Sequence, residues 1–185
     1  MVAYGNPDAG DDAFGPEVVH SLGKMAPPDL EMVALASNPS SLLTNSLNNR
    51  TALLIVDAAT VPGAVPGQLF DLDYHRINQS DLPLPNNFSS HGFGPESDLA
   101  MANALGWLPP RVRLILANAQ NRSIGSTISS AVAHTVPQAA SAILRWLSFW
   151  RSAVPCSILQ AKPPTPKEND YVGFKNCRRL DGEHF

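Results

Sequence analysis

Five consecutive apolar residues, ALLIV at positions 52–56, constrain the fold more than any other feature of this sequence. A strand with one face in water alternates apolar and polar side chains, so an unbroken apolar run predicts a strand that is buried on both faces. Such strands lie at the centre of parallel sheets, because helices cover both faces there. We expect the strand to end at Asp57, where the apolar run meets a carboxylate.

Helical and extended patterns alternate along the chain up to about residue 150. The clearest helix spans Phe14 to Leu22, with apolar residues at helical spacing and a stop signal at Gly23. The other predicted elements are strands at 2–4, 30–36, 68–72 (an edge strand) and 111–117, helices at 97–108 and 128–149 (kinked at Pro137), and a surface loop at 73–87. Strands that alternate with helices predict an α/β fold with a mainly parallel sheet.

The last 35 residues have a different character. Residues 151–185 contain Pro163, Pro164 and Pro166, and their six basic and four acidic residues give a net charge of +2. Residues 1–150 carry seven basic and twelve acidic residues, a net charge of −5. We therefore predict an α/β domain over residues 1–150 and a proline-rich, poorly ordered tail over residues 151–185.

Composition argues against several classes of protein. The 13 Lys and Arg residues are fewer than the 16 Asp and Glu residues, which disfavours nucleic acid as the main partner. No apolar stretch approaches the ~20 residues of a spanning helix, and the N-terminus lacks a signal-peptide layout, so we expect neither membrane insertion nor secretion. Cys156 and Cys177 form no CxxC pair, so we expect neither a disulfide framework nor a zinc knuckle. We therefore expect the protein in the reducing cytoplasm.

Polar residues follow the predicted strands where an α/β sheet places its active site, at the carboxyl ends of the strands. Asp11 and Asp12 lie between the first strand and the first helix, Asp57 follows the buried strand, and His91 lies in the segment SSHG at residues 89–92, ahead of a later helix. Two carboxylates and an imidazole at one sheet edge suit nickel, zinc, cobalt or manganese. The placement therefore indicates a metal or carboxylate site.

Each of these residues also has a structural interpretation. Asp12 is well placed to cap the following helix, and Asp57 to cap or to accept hydrogen bonds from loop amides. His91, between a serine and a glycine, is typical of a turn. Their coincidence at one predicted sheet edge favours the functional interpretation without excluding the structural one.

The order and wording of these segments resemble the nickel–iron hydrogenase maturation endopeptidases. The resemblance is carried by YGN at residues 4–6, DDAFGP at 11–16, LIVDA at 54–58, SSHG at 89–92 and LPPRVRLILAN at 108–118. It extends to about residue 150 and so covers about four fifths of the chain. The YGN wording is most similar to the branch that serves bidirectional hydrogenases.

The resemblance implies a three-layer α/β/α enzyme that removes the C-terminal extension from a hydrogenase large-subunit precursor after nickel insertion. The metal-contacting residues of the family correspond to Asp12, Asp57 and His91, with Asp12 and Asp57 as the catalytic pair. The expected partner is the precursor, and the expected metal is nickel carried by that precursor.

Three mechanisms stay open at this point. In the first, Asp12, Asp57 and His91 contact nickel already in the precursor while a carboxylate activates water. In the second, the three residues hold a metal of their own, which activates the water. In the third, Asp12 and Asp57 share a proton as an aspartic pair. Two other functions also stay open, a nickel-dependent binding module that does not cleave and an unrelated metal-dependent hydrolase of small molecules.

Overall fold

The computed structural model describes residues 1–23, 25–35, 47, 50–77 and 95–152. Helices and strands alternate along these ranges, as the sequence pattern predicts. In chain order they are β1 (Val2–Tyr4), a 3-10 helix (Gly10–Ala13), α1 (Phe14–Leu22), β2 (Val33–Leu35), β3 (Leu53–Ala59), β4 (Leu69–Asp73), α2 (Tyr74–Ile77), α3 (Pro95–Ala104), β5 (Val112–Asn118), α4 (Ser130–Ala133) and α5 (Val136–Ser152).

The strands form one sheet in the order β2-β1-β3-β5-β4. The first four strands of this order are parallel, and β4 runs antiparallel to β5 at the edge. This arrangement confirms the mainly parallel sheet and the edge position predicted for residues 68–72. The carboxyl ends of β1, β3 and β5 therefore lie side by side.

Strand β3 is the buried centre that its apolar run predicts, since all seven of its residues are buried. It pairs with β5 along its whole length, from Leu53 beside Val112 to Ala59 beside Asn118. The expectation that it ends at Asp57 is wrong. Two small apolar residues follow Asp57 and continue the parallel ladder, so the carboxylate lies inside a buried strand.

Helices flank the sheet on both faces, which confirms the α/β/α architecture. On one face, α1 packs against β1 and β3 and buries Phe14 and Leu22 completely. On the other face, Leu99 of α3 joins a core cluster with Tyr4 of β1 and Ile55 of β3.

The close packing of α1 on the sheet depends on a glycine. A Cβ atom at Gly15 would overlap the backbone oxygen of Tyr4, so only a residue without a side chain permits this approach. The helix that follows the first loop is thereby held against β1.

Several element boundaries differ from the prediction. Helix α3 ends at Ala104 rather than near residue 108, because Gly106 adopts a φ of 68°, which terminates a helix. The helix expected at 128–149 is two helices, α4 and α5, with Pro137 in the first turn of α5. Proline suits that position since its missing N–H would have no helical partner there.

Two further predicted segments are only partly described. The strand expected at 30–36 is β2, Val33–Leu35, with residue 36 outside the described part. The loop expected at 73–87 opens with α2, and its residues 78–87 lie outside the described ranges.

Residues Met1–Phe149 form one compact unit, and the chain from Trp150 is assigned to a second unit. Of the tail, only residues 151 and 152 are described, so the disorder predicted for it stays a prediction. Among the described residues, no helix has the length and apolar character needed to cross a membrane.

Candidate active site

Asp12 is held at the end of β1 by a tight loop. Gly5, with a φ of 126°, reverses the chain so that the backbone N–H of Asn6 donates to Asp12 Oδ2 at 2.7 Å. A Cβ atom at Gly5 would overlap the backbone oxygen of Asp12, so the loop closes this tightly only with glycine. Asp12 does not cap α1, whose N-cap residue is Ala13 and has no side-chain cap bond.

Asp57 is almost completely buried, with 4% of its surface exposed. Its Oδ1 accepts a hydrogen bond of 2.8 Å from the backbone N–H of Ala58. The pKa of the Asp57 carboxyl is raised to about 8, chiefly by burial. The Arg122 charge and the Ala58 hydrogen bond lower this pKa, and the negative charge of Asp12 adds to the rise. A carboxyl with this pKa is mostly protonated at neutral pH and can donate a proton.

Arg122 lies beside Asp12 and the backbone next to Asp57. Its Nη2 donates to the backbone oxygen of Ala58, next to Asp57, and its Nε lies 4.0 Å from Asp12 Oδ1. The Nε atom is buried and makes no hydrogen bond within the part of the chain that the structure describes. The site therefore contains a guanidinium between the ends of β1 and β3, with one donor unused.

Asp11 is adjacent to Asp12 in sequence but has a different environment. It is completely buried, and its two oxygens accept three backbone hydrogen bonds from the loop that follows β5. The donors are the N–H groups of Gln120 at 2.7 Å, Asn121 at 3.0 Å and Ser129 at 2.7 Å. Burial alone would raise the pKa of the Asp11 carboxyl, but the hydrogen bonds outweigh it and the pKa is lowered.

The same two loops are joined by further backbone bonds. Gly10 N–H donates to Ser126 oxygen, and Gly125 N–H donates to Asp8 oxygen. Together with Asp11 these bonds fix the loop at 119–129 against the loop at 5–13. Arg122 belongs to the first of these loops, which explains how it reaches Asp12.

The sequence predicted Asp12 and Asp57 as site residues, and they lie near enough for one charge to act on the other. His91 and the SSHG segment lie outside the described residues. Within the described ranges, no three His, Cys, Asp or Glu side chains form a metal-binding group. The three-residue metal site stays a prediction.

Sequence reasoning missed Arg122. No motif marks this residue, but one signal could have identified it. It is one of only seven basic residues before residue 151, and it lies just after the predicted strand at 111–117, at the same sheet edge as both carboxylates.

Most of the chain matches a known protein family. The family model described as HycI, hydrogenase maturation protease, matches residues 16–146, which is 131 of the 185 residues. This span contains Asp57 and His91 and begins just after Asp12. No curated protein sequence matches the chain.

Several solved structures share the fold. An endopeptidase from Escherichia coli has 21% sequence identity and a TM-score of 0.68, over 83% of this chain and 94% of its own. The hydrogenase maturating endopeptidase HybD from E. coli has 21% identity and a TM-score of 0.65, over 80% and 91%. A hydrogenase 2 maturation peptidase from Thaumarchaeota archaeon SCGC_AB-539-E09 has 27% identity and a TM-score of 0.56, over 79% and 95%.

Proposed function

The chain belongs to the hydrogenase maturation protease family, whose members remove the C-terminal extension of a nickel–iron hydrogenase large-subunit precursor, and we propose that Asp12, Asp57 and His91 form the site of that cleavage here. The chain is accordingly a peptidase that acts on a protein precursor. Neither the non-cleaving binding module nor the small-molecule hydrolase is supported by the family match.

One observation carries the choice of Asp12 and Asp57. The two residues are 45 positions apart in sequence, yet the charge of Asp12 contributes to the raised pKa of Asp57. Asp57 lies in β3, and Asp12 lies in the 3-10 helix that follows β1, the parallel neighbour of β3. Ligands of such sheets bind beyond the carboxyl ends of the strands. Paired carboxyl groups in different environments are the usual basis of acid and base roles in one site.

We assign the two carboxyl groups different roles in an aspartic-type cleavage. The Asp12 carboxylate, which faces the Arg122 cation, accepts a proton from water as the water oxygen attacks the scissile carbonyl carbon. The Asp57 carboxyl donates its proton to the peptide nitrogen as the C–N bond breaks. Transfer of the proton from Asp12 to Asp57 then restores both groups.

In this proposal, nickel arrives as part of the substrate and identifies a precursor that is ready for cleavage. The oxygens available for contact with nickel are Asp12 Oδ1 and, once its proton has been donated, Asp57 Oδ2, since Asp12 Oδ2 and Asp57 Oδ1 already accept backbone hydrogen bonds. Carboxylate oxygen with imidazole nitrogen is a donor set that nickel accepts, and His91 would supply the nitrogen. We expect the reaction to occur in the cytoplasm, and the bidirectional branch stays a prediction.

The test is incubation of the protein with nickel-loaded and nickel-free large-subunit precursor, read by intact mass. Wild-type protein is expected to shorten only the loaded precursor. Asp12→Asn and Asp57→Asn are each expected to lower the cleavage rate at least ~100-fold, because each removes a proton-transfer group. Asp8→Asn is the matched control, since Asp8 is an exposed carboxylate in the same loop as Asp12.

Cleavage at the wild-type rate by both site variants, with unchanged circular dichroism, would show that these carboxylates are only structural. Cleavage of nickel-free precursor at the rate of the loaded one would refute the role of the precursor's nickel.

A further inference from the structure

The guanidinium of Arg122 lies where a cation bound by Asp12 and Asp57 would feel its charge. Its Nε is 4.0 Å from Asp12 Oδ1, and its Nη2 is bonded to the backbone oxygen of Ala58. Only 16% of the Arg122 side chain is exposed, so solvent screens its charge less than on an open surface. The guanidinium already balances negative charge in the site.

Arg122 is also restrained. Its loop is attached to the first loop by the three amide bonds to Asp11 and by the backbone bonds of Gly10 and Gly125. An arginine on a free surface loop would swing away from an approaching cation. This one can do so only by breaking its bond to Ala58 or by disturbing a loop that is fixed at several points.

We propose that Arg122 is a specificity-determining residue that repels free divalent cations from the Asp12–Asp57 pair, so that the site responds to nickel delivered inside a precursor. This inference rests on the proposed function, because it takes the two carboxylates as the residues that contact nickel. A free hydrated Ni²⁺ ion brings its full double charge next to a fixed positive charge. Nickel held by anionic protein ligands carries a smaller net charge, and Arg122 repels it less.

The unused Nε donor agrees with this role. Among the described residues the Nε group has no hydrogen-bond acceptor, and a buried donor in this state costs stability. At 4.0 Å from Asp12 Oδ1, the Nε group attracts the carboxylate without a direct hydrogen bond. Asp12 therefore keeps an oxygen free for the nickel of the precursor.

The experiment measures the affinity of the isolated full-length protein for free Ni²⁺ by titration calorimetry, so it does not depend on activity. The variants are Arg122→Gln and Arg122→Met, which remove the charge in two ways, and Arg122→Lys, which keeps it. Arg145→Gln is the matched control, since it removes one positive charge from an exposed position of α5. The double variant Arg122→Gln/Asp12→Asn tests where the metal binds.

We expect either neutral Arg122 variant to bind Ni²⁺ at least tenfold more tightly than wild-type protein. Arg122→Lys and Arg145→Gln are expected to stay within about threefold of wild type, since they keep the local charge, and the double variant should lose the gain. Unchanged or weaker binding by both neutral variants would overturn the proposal, as would a gain that survives Asp12→Asn.

These results are separable from the proposed function. Cleavage by Asp12→Asn at the wild-type rate refutes the proposed site whatever the nickel titrations give. Loss of cleavage in Asp12→Asn, together with no gain of affinity in the neutral Arg122 variants, refutes only the role of Arg122.

Discussion

Replacement of Asp11 by asparagine is the sharpest test of the two-loop arrangement, because only the folded chain gives Asp11 an environment that differs from that of its neighbour Asp12. The structure gives Asp11 three backbone donors from residues 109 to 118 positions further along the chain. An asparagine has one acceptor oxygen where the carboxylate has two. Whichever way the amide is oriented, its NH₂ group must face at least one of these backbone N–H groups.

The expected cost follows from the bonds lost. If the amide oxygen keeps its place near Gln120 and Asn121, the 2.7 Å bond from Ser129 is lost and its donor is left buried. A hydrogen bond to a charged group contributes roughly 1.5–3 kcal/mol, so Asp11→Asn is expected to lower the free energy of unfolding by about 2–3 kcal/mol. For a chain of this size that corresponds to a melting temperature lower by roughly 4–12 °C.

The assay is urea unfolding of wild-type protein, Asp11→Asn and the control Asp12→Asn, followed by circular dichroism. Within the described ranges, Asp12 Oδ2 accepts one backbone bond, from Asn6, and an asparagine oxygen can keep it, so the control is expected to lose less than ~1 kcal/mol. Equal stability losses in the two variants would refute the assignment of Asp11 as the structural carboxylate.

The difference in unfolding free energy between wild-type protein and Asp11→Asn depends on pH with a definite sign. The pKa of Asp11 is lowered in the folded protein from its ordinary value of 3.8, so its ionised form stabilises the fold. This contribution is complete above the unfolded pKa and is lost as the pH falls through the lower folded pKa. The stability gap between wild-type protein and Asp11→Asn should therefore shrink in acid. A gap that widens in acid contradicts the reasoning.

Three further changes have defined outcomes. Because the folded pKa of Asp57 is raised from 3.8 to about 8, the free energy of unfolding of wild-type protein should fall as the pH rises between these values. Asp57→Asn lacks this titration, so in urea unfolding its stability relative to wild type should rise by a few kcal/mol over the same pH range. Gly15→Ala should cost about 1–3 kcal/mol in the same assay, because its Cβ meets the backbone of Tyr4, whereas Gly23→Ala, which has room, should not. A chain that ends at Ser152 should still cleave the precursor and melt within about 5 °C of the full chain, and a larger drop would show that the tail stabilises the domain.

Local sequence patterns were sufficient for the central strand, the alternation of strands and helices, and the placement of Asp12 and Asp57 near strand ends. Each of these features is encoded within a window of a few residues. The unbroken apolar run at 52–56 can be buried on both faces only in a sheet covered by helices on both sides. The spacing from Phe14 to Leu22 fits one helical face, and α1 has those bounds.

Only the tertiary structure showed that Asp11 binds the loop after β5 and that Arg122 lies beside Asp12. Both outcomes depend on contacts between segments more than 100 positions apart, such as Gln120 N–H to Asp11. Whether the loop after β5 meets the loop after β1 depends on the order of strands in the sheet and on the lengths of the loops. No local pattern encodes that order, because the free energy that selects it comes from burying the whole sheet between its helices.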